Sequence, residues 1–133
     1  MIGNYIHHTS GRSPKVGGTT LLHAVNNMWY QNTGHAFDIG SSGSRVVAEG
    51  NVFQNVKTPL LENNGKLFSS PDAVTNAVCK ANLGHVCLVN AFGSSGTLVG
   101  KDSSMLSGFK GYSVASAVKA NSNVMLTAGV GKI

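Results

Sequence analysis

The sequence predicts an all-β chain: a partial, right-handed parallel β-helix of about two to three coils, followed by a C-terminal tail with short helices. Three observations lead there. Asparagine recurs as Asn4, Asn27 and Asn51, 23 and 24 residues apart. Two positions after each stands a large apolar residue, Ile6, Trp29 and Phe53. The 17 glycines in 133 residues demand many turns and leave little room for long helices. A period in the low twenties, built from short strands without a helix, matches one coil, and coils stack about 4.8 Å apart.

The strands follow from local pattern. Leu21-Leu22-His23-Ala24-Val25 and Arg45-Val46-Val47-Ala48-Glu49 precede the second and third asparagines and read as short strands. Ala36-Phe37-Asp38-Ile39 and Leu60-Leu61 are further candidates. The asparagine column is expected to take the unusual backbone angle of a turn, with its amides bonded up and down the stack. The column Ile6, Trp29, Phe53 lies on the same strand face and should fill the bore. Trp29, the one tryptophan, is therefore expected in the core rather than as a sugar-stacking platform. Leucines do not recur at fixed offsets, which excludes a leucine-rich repeat.

Beyond Lys57 the repeat fades, and the chain divides into coils over residues 1–62 and a wrapping, capping tail of the same domain over 63–133. Ser70-Pro71 reads as N-cap and first helical position ahead of residues 73–79, and Gly84 ends that helix. Asp102-Ser103-Ser104-Met105-Leu106 predicts a short capped turn, and Val114, Ala117 and Val118 stand at helical spacing within residues 112–121. Gly40-Ser41-Ser42-Gly43 and Gly93-Ser94-Ser95-Gly96 are loops and match no nucleophile elbow or phosphate loop. Cys79 and Cys87 are close enough for a local disulfide, although two free thiols fit the sequence as well. Zinc would need partner ligands at C-x₂-C spacing, and none is present.

Composition removes several classes. Charged residues are 11% and hydrophobic residues 41%, too little charge for a disordered tail or a coiled coil. No apolar run reaches the ~18 residues of a membrane span. The net charge of +5 favours a polyanionic partner, but the lysines are scattered and no basic cluster of a nucleic-acid site occurs. The first residues lack the basic start and apolar stretch of a signal peptide, whereas a disulfide would fit an oxidising compartment. A piece of a longer secreted protein reconciles the two.

Candidate chemistry is sparse. His7, His8, His23, His35 and His85 make no metal-binding spacing and are expected as surface or hydrogen-bonded imidazoles. Asp38, Glu49, Glu62, Asp72 and Asp102 are dispersed, with no two-carboxylate pair and no calcium loop. The segment His8-Thr9-Ser10-Gly11-Arg12-Ser13-Pro14-Lys15-Val16 stands out. It leaves the first asparagine turn as a proline-stiffened loop carrying two cations, which suits a carboxylate- or ester-bearing polymer.

That loop, with Leu21-Leu22-His23-Ala24-Val25-Asn26-Asn27 and Ala48-Glu49-Gly50-Asn51-Val52-Phe53-Gln54-Asn55-Val56, resembles the C-terminal portion of fungal-type pectin lyases, in the pectate lyase superfamily of parallel β-helices. The likeness is close from Met1 to about Val56, and looser through Cys79, Cys87 and Phe92-Gly93-Ser94-Ser95-Gly96-Thr97. It implies β-elimination on methyl-esterified polygalacturonate without metal or other cofactor. Arg12 would be the proton-abstracting base, with Lys15 near the substrate. It further implies pectin as partner, a monomer engaging no nucleic acid or membrane, and an extracellular full-length protein. The family's second cation, its neighbouring Asp and its cleft aromatics come from coils ahead of the Arg loop. This chain starts eleven residues before Arg12, so an incomplete site, inactive alone, is expected. Two other readings stand beside it: a non-catalytic pectin-binding or structural remnant, and a calcium-dependent pectate lyase.

Overall fold

The computed structural model describes residues 1–112, 114, 115, 117 and 124–128. Its strands are β1 (Tyr5–His7), β2 (Lys15–Val16), β3 (Leu21–Val25), β4 (Met28–Tyr30), β5 (His35–Ile39), β6 (Arg45–Glu49), β7 (Val52–Gln54), β8 (Thr58–Asn63), β9 (Lys66–Phe68) and β10 (Ala91–Gly93). They form three parallel sheets in the orders β1-β4-β7-β10, β2-β5-β8 and β3-β6-β9. Three successive coils each contribute one strand to each sheet and β10 extends the first, which is a parallel β-helix. The sheets run on past residue 62 through β9 and β10, although the sequence repeat is no longer visible there.

The asparagines stand in one file. Asn27 Oδ1 accepts both the backbone N–H and the side-chain amide of Asn4, at 3.0 and 2.8 Å. Asn51 Oδ1 does the same for Asn27, at 2.9 and 3.0 Å. The file has a fourth member that the even period does not reach: Asn90 Oδ1 accepts both donors of Asn51, at 2.9 Å each. The remaining amide protons go to main-chain carbonyls, from Asn51 to Ala24 and from Asn90 to Ala48 and Ser69. Buried amides are thereby satisfied at every level.

The backbone angle expected of these asparagines belongs to the residue before each. Gly3, Asn26 and Gly50 have φ of 63°, 55° and 62°. The turn thus separates its two tasks: one residue bends the chain, and the next carries the amide. A second left-handed column, His8, Gln31 and Asn55 (φ 54°, 49° and 56°), closes the β1-β4-β7 side of each coil.

The bore is apolar. Register places Ile6 over Trp29, Trp29 over Phe53 and Phe53 over Phe92. Trp29 and Phe53 stack at 4.8 Å and 7°, and Phe53 and Phe92 at 5.1 Å and 8°. Trp29 is wholly buried, which removes it as a sugar platform. Leu98 is buried in the same core.

A second apolar cluster covers the outer face of β3-β6-β9, where Val47 and Phe68 meet Cys79, Leu83, Cys87, Leu106 and Phe109. The covering segment is a 3-10 turn at Thr75–Cys79 running into α1 (Lys80–Leu83), stopped by Gly84 at φ 81°. It is shorter than the expected helix and is not capped by Ser70, which lies at φ 52° where the chain leaves β9. Asp72 takes that role, its carboxylate accepting the N–H and hydroxyl of Thr75 at 2.7 and 2.8 Å. Asp102 similarly accepts Ser104 N–H at 2.9 Å ahead of a 3-10 turn at Leu106–Phe109. α2 spans Val124–Thr127, and most of the helix expected within 112–121 lies outside the described residues.

Asn51→Ala strands the buried backbone N–H and side-chain amide of Asn27, which both donate to Asn51 Oδ1, so urea unfolding should report a loss of about 2–4 kcal/mol. Asn4→Ala, at the exposed end of the file, should cost less than about 1 kcal/mol by the same measurement.

Candidate active site

Arg12 and Lys15 come together on the outer face of β2-β5-β8. Arg12 bridges to His35 in the next coil, and Lys15 pairs in register with Asp38. The side chain of Asp38, only 3% exposed, receives Arg12 Nε at 2.6 Å on Oδ2, with Lys15 Nζ 3.8 Å from the same oxygen. Arg12 and Lys15 themselves remain 51% and 62% exposed. One buried anion therefore tethers two cations that face solvent. Glu62 follows Asp38 in register, so two of the acids that are dispersed in sequence are neighbours on this face.

The loop carrying Arg12 is held from the coil beside it. Ser13 N–H donates to Ala36 O at 2.9 Å and its hydroxyl to His35 O at 3.1 Å. His35 N–H donates to Gly11 O at 2.9 Å. Asn32, which is buried, donates to the Thr9 hydroxyl at 2.6 Å. The indole N–H of Trp29 reaches the carbonyl of Ser13, so a core residue also props the loop next to Arg12. Gly34 is required here, because a Cβ would run into the carbonyls of Ser10 and Gly11.

Sequence reasoning missed Asp38. Its signal was present: one 23-residue period beyond Lys15 falls on Asp38, as one period beyond Asn4 falls on Asn27. The proximity of Arg12 to Asp38 depends on how the side chain crosses between coils, which no spacing reports.

A second polar cluster lies on the outer face of β3-β6-β9. Glu49 is fully buried, and its Oε1 accepts His23 Nε2 at 2.7 Å and His85 Nε2 at 2.8 Å. Its Oε2 accepts the N–H of Leu88 at 3.1 Å. Burial pushes the carboxyl pKa up, but the hydrogen bonds and charge of the two histidines outweigh it and leave it below the ordinary 4.5. Possible ligand atoms of Glu49, His85 and Cys87 lie within 4.8 Å of one another. Cys87 is joined to Cys79 in a disulfide, so it offers no thiolate, and Oε1 is already doubly bonded. The cluster pins the disulfide segment to β3 and β6.

A sequence model of the family described as pectate lyase matches residues 1–133. The chain belongs to the pectate lyase family. It is similar to "Probable pectin lyase A" of Aspergillus fumigatus, 61% identical over 140 residues that cover 100% of this chain and 36% of the relative. "Probable pectin lyase D" of Emericella nidulans is 58% identical over 135 residues, covering 98% and 36%. "Pectin lyase B" of the same organism is 57% identical over 136 residues, covering 98% and 35%. The chain thus spans little more than a third of the length of these relatives. Among the described residues, no helix is long and apolar enough to cross a membrane.

Because the Glu49 pKa is depressed in the folded chain, its stabilising contribution is complete above the unfolded value near 4.5 and is lost as pH falls through the folded one. Thermal midpoints followed from about pH 6 to about pH 3 should therefore fall, and Glu49→Gln should flatten that slope.

Proposed function

We propose that this chain carries the proton-abstracting face of a pectin lyase, which cleaves methyl-esterified polygalacturonate by β-elimination. The observation that supports it is the Arg12–Lys15 pair, held by buried Asp38 on an exposed sheet face of a pectate lyase-family β-helix whose relatives are named pectin lyase. A base takes the proton at C5 of the uronate ester. The freed electron pair forms the C4–C5 double bond, and the glycosidic C4–O bond breaks with protonation of the leaving oxygen. Water adds to neither fragment.

Arg12 is the base and Lys15 a substrate contact. Arg12 rests as a guanidinium cation paired with Asp38. Accepting a proton requires the neutral form, which desolvation beneath a bound polymer or an approaching second cation would favour. Lys15 shares the Asp38 carboxylate and so weakens its hold on Arg12. The ester acidifies the C5 proton relative to a carboxylate and leaves no substrate charge there for calcium to neutralise. The described segments between and after β9 and β10 cover the outer face of β3-β6-β9 within one domain, which works as a secreted monomer on pectin and engages neither nucleic acid nor membrane. The disulfide accords with secretion.

The test replaces the matching C-terminal third of the A. fumigatus relative with this chain and follows unsaturated uronides by absorbance on highly esterified pectin. Turnover should resist chelators, and Arg12→Lys should lower it about 10²–10⁴-fold while pectin binding persists. Binding without any unsaturated product would favour a non-catalytic β-helix. Loss of turnover with chelator would favour the calcium-dependent reaction.

A further inference from the structure

We infer that His7 and His8 form a surface site for a divalent transition metal that prefers tetragonal geometry, with Cu2+ the best fit. Consecutive side chains of an extended strand point to opposite faces, so adjacent histidines do not ordinarily converge. Here His7 ends β1 facing outward, and His8 turns into the left-handed region at φ 54°. That turn brings the two Nδ1 atoms to 2.9 Å, where one imidazole N–H donates to the other ring, on residues that are both exposed.

An entering ion takes the place of the proton shared by the two rings, and the separation then selects the geometry. Two nitrogens 2.9 Å apart subtend about 90° at an ion roughly 2.0–2.1 Å from each, whereas a tetrahedral ion would hold them about 3.3–3.4 Å apart. A right angle between imidazoles is the cis arrangement of square-planar or tetragonal Cu2+ and Ni2+, and Cu2+ binds nitrogen donors more tightly than its neighbours in the row.

The pair is set before any ion arrives. Tyr5 stacks on His7 at 4.6 Å and 25°, and Tyr30 meets His8 edge-on at 5.9 Å. His8 N–H donates to Tyr30 O at 3.1 Å, fixing the turn to the adjacent coil. Of the other imidazoles, His23 and His85 are both bonded to Glu49, and the Nδ1 of His35 is buried. The N-terminal amine donates to His23 O. The protein supplies two cis positions, and water or a carboxylate completes the coordination.

Titration of the 133-residue chain with Cu2+, followed by electron paramagnetic resonance and calorimetry, should show one ion per chain in an axial signal with two nitrogen couplings. Affinity should fall from Cu2+ to Ni2+ to Zn2+. His7→Ala and His8→Asn should each weaken Cu2+ at least about tenfold, the loss seen when even an outer partner of a ligand is removed. His8→Asn retains a residue at ease in the left-handed region, and unchanged circular dichroism shows that it folds. His35→Ala should leave the signal intact. Cu2+ affinity unaltered in the His7/His8 double variant, Zn2+ bound more tightly than Cu2+, or no ion bound would each overturn the inference.

Discussion

The asparagine file is the interaction on which the rest of the molecule depends. Stacking strands into coils brings turn after turn into a dry interior, and every buried main-chain N–H there needs an acceptor. Asn27, Asn51 and Asn90 provide it with a single oxygen each, which takes the backbone and side-chain donors of the level above. The arrangement fixes register as well as satisfying donors. A coil displaced by one residue would lose the file and turn Trp29 and Phe53 out of the bore at once.

Register then sorts chemistry by face. The inward column is apolar, with Trp29 and Phe53 fully buried, while the outward faces of the three sheets differ. The β3-β6-β9 face is covered by the disulfide segment, and the buried carboxylate of Glu49 is compensated by two imidazoles and an N–H. The β2-β5-β8 face keeps Arg12 and Lys15 in solvent while burying the carboxylate that orders them. The first arrangement spends its polar groups on cohesion. The second leaves two cations in solvent, and Ser13, His35 and Trp29 hold the loop that carries Arg12.

Periodicity made most of this legible. The β3 and β6 strands, the file of Asn4, Asn27 and Asn51 and the bore column stand where the spacing puts them, because each is repeated within an unbroken coil. Asn90 was hidden because the chain leaves the stack after β9 and returns only at β10, which lengthens the interval from Asn51 to 39 residues. The helix ahead of Gly84 was misplaced at its start because Ser70 serves the bend out of β9, leaving Asp72 to cap the turn.

By itself, then, the sequence determined the coil period, the inward residues, the cationic loop and its likeness to pectin lyases, since these live in local pattern and in motifs a few residues long. Only the tertiary structure decided that Asp38 grips Arg12, that Glu49 joins His23 to His85, and that His7 and His8 converge. Each of those contacts turns on side-chain direction, across coils or through a left-handed bend. Direction is set by three-dimensional stacking and backbone angle, which linear spacing does not carry.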